Sequence, residues 1–125
     1  KKPRSTMAPT IIFDEKNDLF LVTGSPGGSD IPAAILRVIT GVIDFDLDIG
    51  EATMLPRIHK DWPYVGLEHE RAVSRDIVRR LKSMGHETEY ENTIGSTQSI
   101  HIINGVNYGY ADLRRPNASV SVQSN

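Results

Sequence analysis

Gly24-Ser25-Pro26-Gly27-Gly28-Ser29 is a segment whose residue types and spacing point at chemistry. It joins the β-type run Leu19-Phe20-Leu21-Val22 to a stretch patterned as a helix. Two successive glycines let the backbone take φ values denied to other residues and let a ligand approach closely. Their N–H groups can converge on one point, aided by the positive end of the following helix. Such a nest holds a phosphate or a developing oxyanion. A phosphate loop needs Lys followed by Ser or Thr after its last glycine, whereas Gly28 is followed by Ser29-Asp30, and a carboxylate there repels phosphate. A plain tight turn capped by Ser29 accounts for the same residues and stands beside the oxyanion reading.

Other candidates carry weaker chemistry. His59 and Asp61 have a spacing compatible with a metal, but the sequence shows no third ligand, and His59, His69, His86 and His101 read as surface or packing histidines. Asp44, Asp46 and Asp48 alternate, yet a calcium loop is longer and closes on Glu, so a helix stop followed by a cap is the better account. Arg71, Arg75, Arg79, Arg80 and Lys82, with Glu68, Glu70 and Asp76, read as the solvated, salt-bridged face of a helix. Trp62 and Tyr64 read as a cover over a core.

The elements that must position these residues follow from periodicity. Ile11-Ile12-Phe13 and Leu19-Phe20-Leu21-Val22 flank a polar turn and form a hairpin. Ile31, Ala34, Ile35, Val38, Ile39 and Val42 recur at helical spacing, with Ser29 or Asp30 as cap and Pro32 in the first turn. Asp48-Ile49-Gly50-Glu51 reads as a capping box opening a short helix that Pro56 stops. Residues 57–64 read as irregular. Ser74 caps a third helix bearing Ile77, Val78, Leu81 and Met84 on one face and ending at Gly85. A strand follows over 86–90, and Asn104-Gly105 joins the strands 99–103 and 106–110 in a second hairpin. The tail from Pro116 is small and polar and is expected to fray. The order ββ-α-α-α-β-ββ specifies an α+β layer arrangement.

Bulk properties narrow the function. The chain has 125 residues, enough for one core. With 24% charged residues, 38% hydrophobic residues and a formal net charge of -2, it has an ordinary globular composition and no basic stripe, which argues against a nucleic-acid partner. No apolar run has membrane-spanning length. Cysteine is absent, which excludes disulfides, thiol catalysis and thiolate metal sites. The opening Lys1-Lys2-Pro3-Arg4, without an initiator Met, points to a fragment or a processed chain.

Several segments together resemble the γ-glutamyltransferase family. Pro3-Arg4-Ser5-Thr6-Met7-Ala8-Pro9-Thr10 is similar to its Pro-Leu-Ser-Ser-Met-Ser-Pro-Thr stretch, and Leu21 to Ser29 to its glycine signature. Val42-Ile43-Asp44-Phe45, Glu51-Ala52, Pro56-Arg57-Ile58-His59, Gly95-Ser96-Thr97-Gln98-Ser99 and the closing segment Tyr108 to Pro116 follow in family order. The resemblance implies a single partial domain over 1–125, the C-terminal segment of the small subunit, within a four-layer αββα N-terminal-nucleophile hydrolase. It implies a self-cleaving precursor whose new N-terminal Thr attacks the γ-glutamyl carbonyl, with its own α-amino group as base. It assigns Gly27 and Gly28 to the oxyanion hole and Ser5 and Thr6 to the α-carboxylate of the γ-glutamyl group. The returning hairpin is expected to bring Ser5 and Thr6 close to Gly27 and Gly28.

The same resemblance implies a substrate such as glutathione, transfer to an amino acid, peptide or water, no cofactor, and a periplasmic or extracellular location. The Thr-Thr-His-type nucleophile segment of the family does not occur here, so the chain alone is expected to be inactive. Its partners would be the large subunit and the N-terminal part of the small subunit. Strand edges or helix faces meant for them would favour self-association. Thr6 stands where the family has Ser, Arg4 where it has Leu, and Asp30 where it commonly has Arg. A carboxylate at Asp30 disfavours a nearby oxyanion unless it points away or is paired. A related acylase, or a binding or structural module that kept the fold without catalysis, is the alternative.

Overall fold

The computed structural model describes residues 6–63 and 66–121. β1 (Thr10–Phe13) and β2 (Leu19–Gly24) form the first hairpin, and its turn places Asn17 at positive φ. A single 3-10 turn (Gly28–Asp30) leads into α1 (Ile31–Asp44), followed by α2 (Ile49–Met54). Then come β3 (Ile58–His59), β4 (Gly66–His69), α3 (Arg75–Ser83), β5 (Glu87–Tyr90), β6 (Gln98–Ile103) and β7 (Val106–Ala111).

The chain is α+β with two sheets. One has the order β1-β2-β6-β7, with antiparallel neighbours throughout. The other has the order β3-β4-β5, antiparallel then parallel. Asn104 and Gly105 both take positive φ, as the tight hairpin turn between β6 and β7 requires. Strand β3 corrects the expectation of an irregular stretch over 57–64, and β4 is a further strand beyond it. β3 has two residues, and β4 reads Gly-Leu-Glu-His, too short and too polar to show a period of two.

Leu21 from β2 meets Val38 and Val42 of α1 and Ile49 and Ala52 of α2 in one buried cluster, with Ile12, Phe20, Leu47 and Tyr110 packed against it. The helices therefore cover one face of the four-stranded sheet. The opposite face carries the aligned row Ile11, Val22, Ile100 and Gly109, in which Ile11 is 60% and Ile100 44% exposed. An apolar sheet face of that kind is what a second packed layer requires.

The caps sort as the residues dictate. Asp48 and Glu51 form the reciprocal capping box, and Ser74 accepts from the Ile77 N–H. α1 differs from expectation: neither Ser29 nor Asp30 caps it with a side chain, because the 3-10 turn already delivers the backbone in helical conformation. α3 buries none of its residues, and Ile77 and Met84 on its apolar side are largely exposed. Its charged face carries the expected Arg79–Asp76 pair, but Glu68 and Glu70 are not part of it: Glu68 belongs to β4, and Glu70 follows that strand and is buried.

Gly41 of α1 lies directly against α2. A Cβ there would fall 2.9 Å from the Ala52 Cβ. Gly41→Val is therefore expected to lower stability by about 1–3 kcal/mol through overpacking, read from the urea midpoint; an unchanged or raised midpoint would contradict the close helix approach.

Candidate functional site

Four charged residues form a buried network. Arg57, 1% exposed, donates from Nη2 to Asp112 Oδ2 at 2.8 Å and to the Thr53 carbonyl at 3.0 Å, and from Nη1 to the Ile94 carbonyl at 2.8 Å. Arg114 grips Glu70 with a two-pronged contact, Nε to Oε1 at 2.6 Å and Nη2 to Oε2 at 2.7 Å. It also donates to Asp112 Oδ1 at 3.1 Å and to the Thr53 and Leu55 carbonyls at 2.8 Å each. Glu70 accepts the backbone N–H groups of Arg57 and Ile94, and Asp112 that of Thr97. Two cations meet two anions, and each carboxylate accepts several charge-assisted bonds.

The electrostatics follow. Burial raises the Glu70 carboxyl, but the Arg114 hydrogen bonds and the Ile94 and Arg57 N–H groups outweigh it and hold the group below its ordinary value. Burial likewise raises Asp112, and the Arg114 and Thr97 N–H groups with the Arg57 charge bring it below its ordinary value.

This network fixes the segment 94–97, and that segment supports the glycine turn. The Ser96 N–H donates to Ser25 Oγ at 2.9 Å, and Ser25 Oγ donates to the Pro26 carbonyl at 2.7 Å. Gly95, at φ +67°, sits so tightly between Ala34 and Ser25 that a Cβ would lie 2.6 Å from the Ala34 Cβ. Gly27 takes φ +143° and Gly28 φ +63°, and a Cβ on Gly27 would approach the Gly95 Cα to 3.3 Å. Among the described residues, neither the Gly27 nor the Gly28 N–H donates a hydrogen bond.

The hairpin returns Thr6 to this turn: its Oγ1 donates to the Gly28 carbonyl at 2.8 Å. Ser5 lies outside the described residues. Asp30, which ends the 3-10 turn, faces His59 on β3, with Oδ1 3.7 Å from Nε2. Asp30 thus lies beside an imidazole, across a gap too long for a hydrogen bond. Burial raises its carboxyl above the ordinary value, His59 lowers it, and Asp61 and Glu91 raise it further. Glu68 on β4 is also raised, by burial and then by the Asp30 charge, with His59 opposing.

His101 packs edge-on against Phe20 at 4.7 Å and, lowered by burial, is a packing histidine as expected. His59 is not an ordinary one. Its side chain is 10% exposed and lies among Asp30, Asp61 and Glu68. Spacing from Asp61 hinted at it, but Asp30 and Glu68 are distant in sequence and give no local signal. Sequence reasoning did not single out the buried network as a site, although Arg57, Asp112 and Arg114 stand in the segments Pro56 to His59 and Tyr108 to Pro116 that carried the resemblance; Glu70 lies outside both.

Comparison with known proteins places these features in a family. A model described as Gamma-glutamyltranspeptidase matches residues 1–122. The chain is 39% identical over 115 residues to the glutathione hydrolase proenzyme of Escherichia coli (strain K12), covering 91% of this chain and 20% of that protein. It is 34% identical over 125 residues to the glutathione hydrolase proenzyme of Bacillus subtilis (strain 168), covering 98% of this chain and 21% of that protein. A crystal structure of a Helicobacter pylori gamma-glutamyltranspeptidase mutant superimposes with TM-score 0.85 at 38% identity, covering 92% of this chain and 64% of the other. The chain thus spans about a fifth of the length of these curated relatives.

Asp112→Ala strands the Arg57 cation in the interior and is expected to cost about 3–5 kcal/mol, measured by urea unfolding at neutral pH. Because Glu70 and Asp112 are depressed in the folded state, their contribution is fully present above the unfolded carboxyl values of about 4 and is lost as pH falls through the lower folded values. Stability measured from pH 6 downward should therefore drop below about pH 4, and a Glu70→Gln variant should show a shallower drop; an equal slope would remove Glu70 from that acid limb.

Proposed function

This chain belongs to the γ-glutamyltranspeptidase family, and from that premise we propose that it is the C-terminal part of the small subunit of an enzyme cleaving γ-glutamyl amides such as glutathione. The γ-glutamyl group would pass through a Thr ester to an amino acid, a peptide or water. The nucleophilic Thr comes from a segment outside this chain, which contains no Thr-Thr-His sequence. The attacking hydroxyl gives its proton to the α-amino group of the same Thr, and the amide carbonyl becomes an oxyanion.

The observation that carries this reading is the glycine turn. Gly27 and Gly28, both at positive φ, stand before a helix N-terminus with N–H groups that bond to no described residue. Donors held in that way are what a developing oxyanion needs, because no reorganisation is required at the moment of reaction. Thr6, hydrogen-bonded to Gly28, stands at the same end of the sheet. With Ser5 it would hold the α-carboxylate of the same γ-glutamyl group. The relatives called proenzymes support maturation from a precursor that also supplies the large subunit and the rest of the small subunit.

Two measurements test the reading. The isolated 125-residue chain should release no p-nitroaniline from γ-glutamyl-p-nitroanilide above a boiled control; turnover on the order of 1 per second would place the nucleophile within it. In the intact protein, Gly28→Ala, which keeps the N–H but strains the positive-φ backbone that aims it, should lower kcat about tenfold or more with little change in KM. Thr6→Ala should chiefly raise KM, by about tenfold or more, the loss expected for a hydrogen bond to a charged group. The opposite split, KM moving with Gly28 and kcat with Thr6, would overturn the assignment.

A further inference from the structure

The glycine turn has a second set of neighbours that neither the oxyanion reading nor the carboxylate reading uses. Asp30 closes the 3-10 turn, His59 lies on β3 and Glu68 on β4. The register of the two strands sets His59 directly opposite Glu68, so their side chains share one face. Each of the three residues offers one ligand atom, and these atoms lie within 4.8 Å of one another.

We propose that Asp30, His59 and Glu68 form a binding site for a divalent transition-metal cation of the zinc class, with Asp61 at its open side. Tetrahedral ligands held about 2.1 Å from zinc stand about 3.4 Å apart, a spacing that small side-chain rotations reach from the present one. The cluster is not merely acidic. The His59 side chain is only 10% exposed, and among the described residues its Nε2 is fully buried with no hydrogen-bond partner. That nitrogen faces Asp30 Oδ1 at 3.7 Å and Asp61 Oδ1 at 3.3 Å. A buried imidazole nitrogen without a hydrogen bond, set among carboxylate oxygens, is arranged as a ligand.

Charge and ligand type select the cation. Asp30 and Glu68 bring two negative charges, which a divalent ion neutralises, and His59 brings a nitrogen that needs no charge of its own. One imidazole with carboxylates and no thiolate suits zinc, manganese, iron or cobalt, while magnesium and calcium prefer oxygen alone. A bound ion would tie the 3-10 turn that contains Gly28 to β3 and β4. The competing arrangement is a protonated His59 held between carboxylates, which needs no metal.

The intact protein, stripped with EDTA, would be titrated with zinc sulfate by calorimetry against a competing chelator, beside Asp30→Asn, His59→Gln and Glu68→Gln. One zinc site in the unmodified protein, weakened about tenfold or more or lost in each variant, is the expected result. Circular dichroism establishes that each variant is folded. Anomalous scattering at the zinc edge from crystals of the unmodified protein should place a peak between Asp30, His59 and Glu68, and this reading does not depend on any variant. No zinc binding, equal binding in all three variants, or a peak only elsewhere would overturn the site. Magnesium or calcium bound as tightly as zinc would overturn the choice of cation.

Discussion

The Arg57–Asp112 ion pair, closed at 2.8 Å with both side chains essentially withdrawn from solvent, is the interaction on which the rest of the arrangement depends. A buried guanidinium is tolerable only if its donors and the opposing carboxylate oxygens are met by fixed partners. Here the partners come from segments well separated in the chain: the Thr53 carbonyl at the end of α2, the Ile94 carbonyl, the Thr97 hydroxyl and, through Arg114, Glu70 beyond β4. The result is a charge-balanced knot between the two sheets, tied at points that local structure alone would leave as loops.

That knot matters to the glycine turn because of what it holds still. Segment 94–97 has no strand pairing before β6 begins. Arg57 donates to its Ile94 carbonyl, Glu70 and Asp112 accept its Ile94 and Thr97 N–H groups, and Gly95 then wedges against Ala34 and Ser25. Only a residue without a Cβ fits there. The turn at Gly27 is thereby backed by the Gly95 backbone, and the Ser25 side chain ties it to Ser96. A donor pair used for electrostatic stabilisation must be held in this way, since its value lies in not having to reorganise.

Two groups of charged residues in the same small domain behave oppositely for one reason. Glu70 and Asp112 are met by guanidinium groups and backbone N–H donors, so they stay ionised more readily than in water. Asp30 and Glu68 face one imidazole and several carboxylates, so burial first, and then repulsion from those neighbouring carboxylates, makes ionisation harder. The first group is satisfied by the chain itself. The second, gathered at the edge of the glycine turn, is short of positive charge. On the other side of the four-stranded sheet the apolar row through Ile11, Val22 and Ile100 is a surface suited to a further layer, in keeping with a chain that spans about a fifth of its curated relatives.

Much of the fold was written in local signals. The Asp48–Glu51 capping box, the Ser74 cap, the Asn104-Gly105 hairpin and the apolar stripe of α1 each act over a few residues, so short-range sequence determines them. The paired glycines at positive φ were legible for the same reason, since only glycine takes those conformations freely. The sequence did not mark β3 and β4, whose few residues carry no period, nor did it remove Glu70 from the charged helix face on which its neighbours placed it. It also could not join Asp30 to His59 and Glu68, or Arg57 to Asp112. Charged residues look alike along a chain whether solvated or buried, and tertiary folding alone decides which of them leave water and which opposite charge meets them there.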